Sequence, residues 1–188
     1  SPQLWQCTTK IDEFSFIKEQ ITKLVESTSL PSNNLKNIGI LFRKNADFVP
    51  KKFTGNNPQM PFVKFLKTGP FVVNANKTKG NLDGTYTAKL NGFDNYPIEI
   101  RTIHKAKGLE YSVVFVVHVE DGVIPIGVDA EWGKEFAVPT GKQKNIQRLS
   151  DEEEQNNEEK RILYVAMTRA EKQLFLTYHI DSDKKDSL

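Results

Sequence analysis

The apolar positions divide the chain into helical and extended stretches. From Asp12 to Thr28, Phe14, Ile17, Ile21, Leu24 and Val25 recur at helical spacing and leave Lys18, Glu19, Lys23 and Glu26 mostly on the other face, which predicts an amphipathic helix. A loop containing Pro31, Ser32, Asn33 and Asn34 leads into a short apolar strand, Ile38 to Phe42. Ile98, Ile100 and Ile103, set among Glu99, Arg101 and Thr102, suit a half-buried strand, whereas Val113 to Val117 is continuously apolar. The second run reads as a central strand covered on both faces, which is typical of a parallel sheet between helices and argues for an α/β layer arrangement.

Between Ala46 and Leu66, Pro50, Pro58 and Pro61 leave room only for short helical pieces such as Phe62 to Leu66. Phe71 to Asn74 is a candidate brief strand, and Asn76 to Asn95, rich in Asn, Gly, Lys and Thr, reads as a surface excursion with one possible strand at Thr85 to Leu90, where Lys77 and Lys79 are expected in solvent. Asp121, Gly122 and Pro125 mark a turn, and Val123 to Val138 continues irregularly. Ser150 and Glu153 have capping-box spacing, so a long helix is expected to start there, with Asp151 to Glu154 answering its dipole rather than serving chemistry. Ile162, Val165 and Ala166 share a face of that helix; Thr168 to Ala170 close it, and Leu174 to Tyr178 is the last strand.

Composition narrows the class. With 188 residues, 38% of them hydrophobic, the chain reads as a single domain, 1–188, with its ordered core over roughly 10–180. A formal charge of +2 gives no generally basic surface, so any nucleic-acid contact must be local. The single cysteine, Cys7, excludes an internal disulfide and a cysteine-based zinc site; three histidines, His104, His118 and His179, are scattered, and no metal site is expected. No apolar run approaches the roughly 20 residues of a bilayer span, which points to a soluble, cytoplasmic protein without membrane contact.

His104, Lys105, Lys107, Gly108 and Glu110 form a compact polar island between the two central apolar runs. On spacing alone it is either a solvated turn or a ligand site at strand ends. Arg43, leaving its strand, and Arg169, in the last turn of its helix, carry the same two readings.

Three stretches, in order, resemble the second motor domain of superfamily 1 DNA helicases of the UvrD, Rep and PcrA type. IGILFRKNA at 38–46 is similar to motif IV, TIHKAKGLE at 102–110 to motif V, and EEKRILYVAMTRAEKQLFLT at 158–177 to motif VI; DGVIP at 121–125 is similar to the segment after motif V. The resemblance implies a RecA-like, P-loop NTPase-type three-layer α/β fold with a mostly parallel central sheet. It implies that Arg43 and Arg169 reach the γ-phosphate of ATP held by a first, N-terminal RecA-like domain of the same polypeptide, where permanently charged planar guanidinium groups stabilise the transferring phosphoryl group. Gly108 and Glu110 would then serve the ribose side of ATP, and Thr102, His104 and Lys107 the DNA. The implied activity is ATP-dependent, 3′-to-5′ translocation on single-stranded DNA with duplex unwinding.

Two departures qualify the resemblance. The chain contains neither the GxxxxGK[ST] Walker A loop nor the acidic motif for Mg2+, so it is expected to be inactive in isolation, with the magnesium ligands upstream. Residues 50–95 stand as a short replacement for the family's usual helical insertion. A non-catalytic DNA-binding or protein-interaction module of RecA-like fold is the alternative. The helicase portion of a helicase-nuclease ranks last, because only a polar tail follows Tyr178.

Overall fold

The computed structural model describes residues 2–27, 38–44, 61–78, 81–119 and 157–179. The expected segments at 28–37, 45–60 and 121–156, with Lys79, the Ser150 capping box and the acidic run 151–154, lie outside the described residues.

A seven-stranded sheet organises the chain. Its strands are β1 (Gln3–Cys7), β2 (Ile38–Phe42), β3 (Phe71–Thr78), β4 (Asn81–Leu90), β5 (Ile98–Thr102), β6 (Tyr111–Val116) and β7 (Ala170–His179), in the spatial order β1-β7-β6-β2-β5-β4-β3. The first five in that order pair in parallel, while β4 and β3 extend the sheet antiparallel beyond β5. This is the expected mostly parallel α/β sheet, with two differences. Gln3–Cys7 is an unanticipated edge strand, and the strand expected at Phe71 to Asn74 joins the first part of the supposed surface excursion at 76–95 in a hairpin, β3 and β4, built into the sheet. Its polar residues concealed that membership, because edge strands of an antiparallel extension keep one wet face. Val72 and Asn74 are exposed while Phe71 and Val73 are buried.

Helices cover both faces. Helix α1 (Lys10–Glu26) begins two residues before the expected Asp12, because Thr9 and Asp12 form a reciprocal capping box. Its Phe14, Ile17, Ile21 and Val25 meet α2 (Phe62–Leu66) and the inward residues Ile38, Ile40, Phe42, Val113 and Phe115. On the other face, helix α3 (residues 157–167) sets Ile162 and Ala166 against Leu41, Val114 and Val116. The alternation of β2 and β6 residues between the two clusters is the period-2 geometry of strands buried on both sides.

A buried carboxylate ties α1 to the sheet. Glu13 is fully buried; one oxygen accepts from the His118 amide at 2.9 Å and the Thr177 hydroxyl at 2.6 Å, and the other lies 2.6 Å from His118 Nδ1 and 2.9 Å from His179 Nδ1. Strand alternation would send His118 away from Val117's face. Its left-handed φ of 61° brings the ring back into the α1 layer. Burial by itself would raise the Glu13 pKa, but the hydrogen bonds from His118 and His179, the charge at His118 and the Thr177 bond outweigh it and hold the carboxyl well below its usual range. The folded-state pKa is depressed, so this stabilisation is complete above the ordinary value of 4.5 and is lost as the pH falls below it.

On the α3 face, Gly39 provides the floor for Tyr111. A Cβ at Gly39 would lie 2.8 Å from Tyr111 Cδ2 and Cγ, so the ring occupies space that only glycine leaves open.

Replacing Glu13 with Ala strands four donors in a dry layer and should cost about 3–5 kcal/mol in urea unfolding; a loss below 1 kcal/mol would show that the cluster does not lock α1. Gly39→Ala should cost about 1–3 kcal/mol, and most of that penalty should vanish in a Tyr111→Leu background when the double-mutant cycle is measured.

Candidate functional site

In a parallel sheet all carboxyl ends lie on one edge, and that edge collects half of the expected site. Arg43 follows β2 and Thr102 ends β5, with Phe42 and Thr102 in register. A single 3-10 turn (Ile103–Ala106) comes next, with His104 and Lys107 exposed and Ile103 and Ala106 buried against α3. A cavity of about 160 Å³ is lined by His104, Lys107, Glu158, Arg161 and neighbouring apolar residues of the turn and α3. Thr102 is apart from this group: it is buried and shares the strand face of Ile98 and Ile100, toward α1.

The opposite edge collects the rest. Lys107 and Leu109 donate to the carbonyls of His104 and Ala106 at 3.4 and 3.0 Å, and Gly108 takes φ +83°, a left-handed conformation suited to glycine. Glu110 is exposed and has no side-chain partner among the described residues, immediately before Tyr111 starts β6. Tyr111 is in register with Ala170, and its amide donates to the Arg169 carbonyl at 2.9 Å. The Arg169 guanidinium donates to the carbonyls of Val165 and Leu109, both at 3.1 Å, and to the Thr168 hydroxyl at 3.2 Å. It thus closes the C-terminus of α3 and fastens the 108–110 loop to it. Arg169 and Glu110 are brought to the same edge through the residues beside them.

Arg43 and Arg169 are not brought together. Strand register sets them at opposite ends of the parallel block, roughly 20 Å apart at about 3.3 Å per residue. Arg43 instead makes a two-pronged ion pair with Glu159 on α3, Nε to Oε2 at 3.1 Å and Nη2 to Oε1 at 2.8 Å. Glu159 escaped the reading of the sequence although a signal existed, since it lies three and seven residues before Ile162 and Ala166, on the helix's buried stripe.

Under the 103–110 crossover, the Tyr111 hydroxyl donates to Glu99 at 3.1 Å, and Arg101 also pairs with Glu99. Burial raises the Tyr111 phenol well above its ordinary pKa, so it remains a protonated donor.

Among the described residues, Glu13, His118 and His179 form a group with metal-ligand composition, although the two histidines looked scattered in sequence. Its short N–O contacts are hydrogen bonds, and His118 Nε2 is buried with no partner among the described residues. A metal-bound histidine ordinarily passes its second N–H to an acceptor, so the group fits a hydrogen-bonded lock. No helix among the described residues is long and apolar enough to cross a membrane.

The fold defines an α/β domain with a mostly parallel sheet, and comparison with known proteins assigns its family. Residues 84–181 match the UvrD-like helicase C-terminal domain family, and the chain belongs to it. It is 34% identical over 97 residues to the putative ATP-dependent DNA helicase YjcD of Bacillus subtilis, covering 52% of this chain and 11% of that protein. To an ATP-dependent helicase/nuclease subunit of Ruminiclostridium cellulolyticum it is 31% identical over 170 residues, 81% of this chain and 12% of that one. To the ATP-dependent DNA helicase Rep of Buchnera aphidicola (subsp. Baizongia pistaciae) it is 37% identical over 87 residues, 46% and 10% of the respective chains. The chain therefore spans about a tenth of these relatives' lengths. A crystal structure of the C-terminal domain of a possible DNA helicase from Lactobacillus plantarum superposes with a TM-score of 0.48 at 16% identity, covering 96% of this chain and 74% of that one.

Arg169→Ala removes three hydrogen bonds that hold the loop to α3. It should lower stability by about 1–3 kcal/mol and speed amide exchange at 107–110. Unchanged exchange there would show that Arg169 does not anchor the loop.

Proposed function

We propose that this chain is the C-terminal RecA-like motor domain of an ATP-dependent DNA helicase, folded as one unit over 1–188, and that the intact polypeptide translocates 3′ to 5′ on single-stranded DNA and unwinds duplex. The observation that carries this reading is the 103–110 crossover. In eight residues it runs from exposed His104 on one edge of the sheet to exposed Glu110 on the other.

ATP sits in a cleft between this domain and an N-terminal RecA-like domain that supplies the phosphate-binding loop and the Mg2+ ligands. Glu110 accepts from the ribose, Gly108 gives the backbone close approach, and Arg169 directs its remaining N–H groups to the γ-phosphate. His104 and Lys107 contact the DNA backbone. Thr102 serves through its backbone, since its side chain is buried. Closure of the cleft on ATP moves both edges of one rigid sheet together, and opening after hydrolysis returns them, which converts turnover into steps along the strand. The reaction is assigned to the cytoplasm.

The helicase portion of a helicase-nuclease is the second reading. Favouring it is the helicase/nuclease relative that matches along four fifths of this chain, against about half for the Rep and YjcD proteins. A non-catalytic module is disfavoured by Glu110, an exposed carboxylate without a side-chain partner among the described residues, which a bare scaffold does not need.

In the intact polypeptide, Arg169→Ala should lower ATP turnover by about 10³-fold, with ATP binding largely retained; wild-type turnover would overturn the reading. His104→Ala should weaken single-stranded DNA binding several-fold and leave DNA-free ATP turnover in place, measured by fluorescence anisotropy and phosphate release.

A further inference from the structure

We propose that Glu99 and Arg101 are positioning residues of the 103–110 crossover, and that with the Tyr111 hydroxyl they hold its DNA-facing turn and its nucleotide-facing end in one fixed arrangement. The inference rests on the motor reading above and assigns a role to side chains outside its ligand contacts.

The three side chains meet on the α3 face of the sheet. Glu99 and Arg101 are alternate residues of β5, on the face opposite Ile98 and Ile100. Glu99 is in register with Gly39 of the neighbouring β2. The Tyr111 ring passes over that bare position, so its hydroxyl reaches across β2 to donate to Glu99 Oε2 at 3.1 Å. Arg101 Nη2 donates to the same oxygen, and Arg101 Nη1 donates to the Lys105 carbonyl at 3.3 Å. That carbonyl lies between those of His104 and Ala106, which accept from Lys107 and Leu109 within the crossover. The chain of bonds therefore starts one residue after Glu110, at Tyr111, and ends one residue after His104, at Lys105.

A second observation concerns the arginine itself. Its Nε is buried with no partner among the described residues. A buried N–H without an acceptor is unfavourable, and an apolar side chain filling the same space would avoid it. What explains an arginine here is what its other two nitrogens hold. Lys105 is fixed from its other end as well, because its ammonium donates to the Asp83 carbonyl of β4. The Asp83 carboxylate in turn accepts from the Thr85 amide and hydroxyl at 2.8 and 2.7 Å. The turn is thus braced against β5 through a carbonyl and against the β3–β4 hairpin through a side chain. Tyr111 is fully buried, and the side chains of Arg101 and Glu99 are only 16% and 22% exposed, so solvent ions screen this network little. A nucleotide that shifts Glu110 moves Tyr111, and the bonds through Glu99 and Arg101 carry that shift to the turn bearing His104.

The test uses the intact polypeptide and measures binding of a slowly hydrolysed ATP analogue with and without saturating oligo(dT), binding of labelled oligo(dT) with and without the analogue, and the thermal midpoint. In wild type each ligand should tighten the other about tenfold, by the same factor in both directions. Tyr111→Phe removes one hydroxyl and leaves the ring on Gly39; it should cut that factor to about twofold or less while each ligand alone binds within about twofold of wild type. The double variant Glu99→Gln with Arg101→Met removes both charges at once, so no buried charge is left unpaired. It should lose the coupling with its thermal midpoint close to that of wild type. A merely structural network would lower the midpoint and keep the tenfold factor, and that result would overturn the proposal. If Tyr111→Phe does not fold, the double variant decides on the same factor. Wild type in which neither ligand affects the other would overturn the motor reading itself; full coupling in wild type and in both variants would overturn only the positioning role.

Discussion

Strands β5 and β6 both lie beside β2 and run in its direction, so the chain must travel from the carboxyl edge of the sheet back to the amino edge within residues 103–110. Parallel crossovers usually take a dozen residues or more and contain a helix. Here there is room for one 3-10 turn and a glycine in left-handed conformation. The brevity has consequences on both sides. Ile103 and Ala106 must be buried to hold the connection against α3, which leaves His104 and Lys107 facing out at one end and Glu110 at the other. Tyr111, the first residue after the crossover, lies flat across β2, which is possible because position 39 has no side chain.

The layers are fastened differently on the two faces. On the α1 face a single buried carboxylate gathers donors from three places in the chain and joins α1, the exit of β6 and β7. That interaction is strong because it is dry, and it tolerates little change for the same reason. On the α3 face the fastenings lie at the helix ends, Arg43 to Glu159 at one and Arg169 to Leu109 at the other, with apolar contacts between. The candidate site residues Arg43 and Arg169 are held on this second face, at the periphery of its apolar core.

Much of the architecture was legible in residue order. Strand β2 occupies the predicted residues, and α2 coincides with the short helical piece expected at Phe62 to Leu66. The valine-rich run proved to be a central strand covered on both faces. Strand β1 was missed because its Leu4 and Trp5 are exposed and give no period, and the 71–90 hairpin was undervalued because polar residues on its wet face resemble a loop. The polar island of 104–110 was visible as chemistry; its division between two edges was not.

Periodicity and local motif determined which segments are helix or strand and that the sheet is mainly parallel. Those are short-range properties, encoded by side chains at fixed spacing. Tertiary structure alone decided that Arg43 and Arg169 occupy opposite edges, that Glu159 claims Arg43, and that Glu13 collects two histidines distant in sequence. Each of these depends on strand register and helix placement, which bring together residues more than a hundred positions apart, and no local pattern in the chain specifies such pairings.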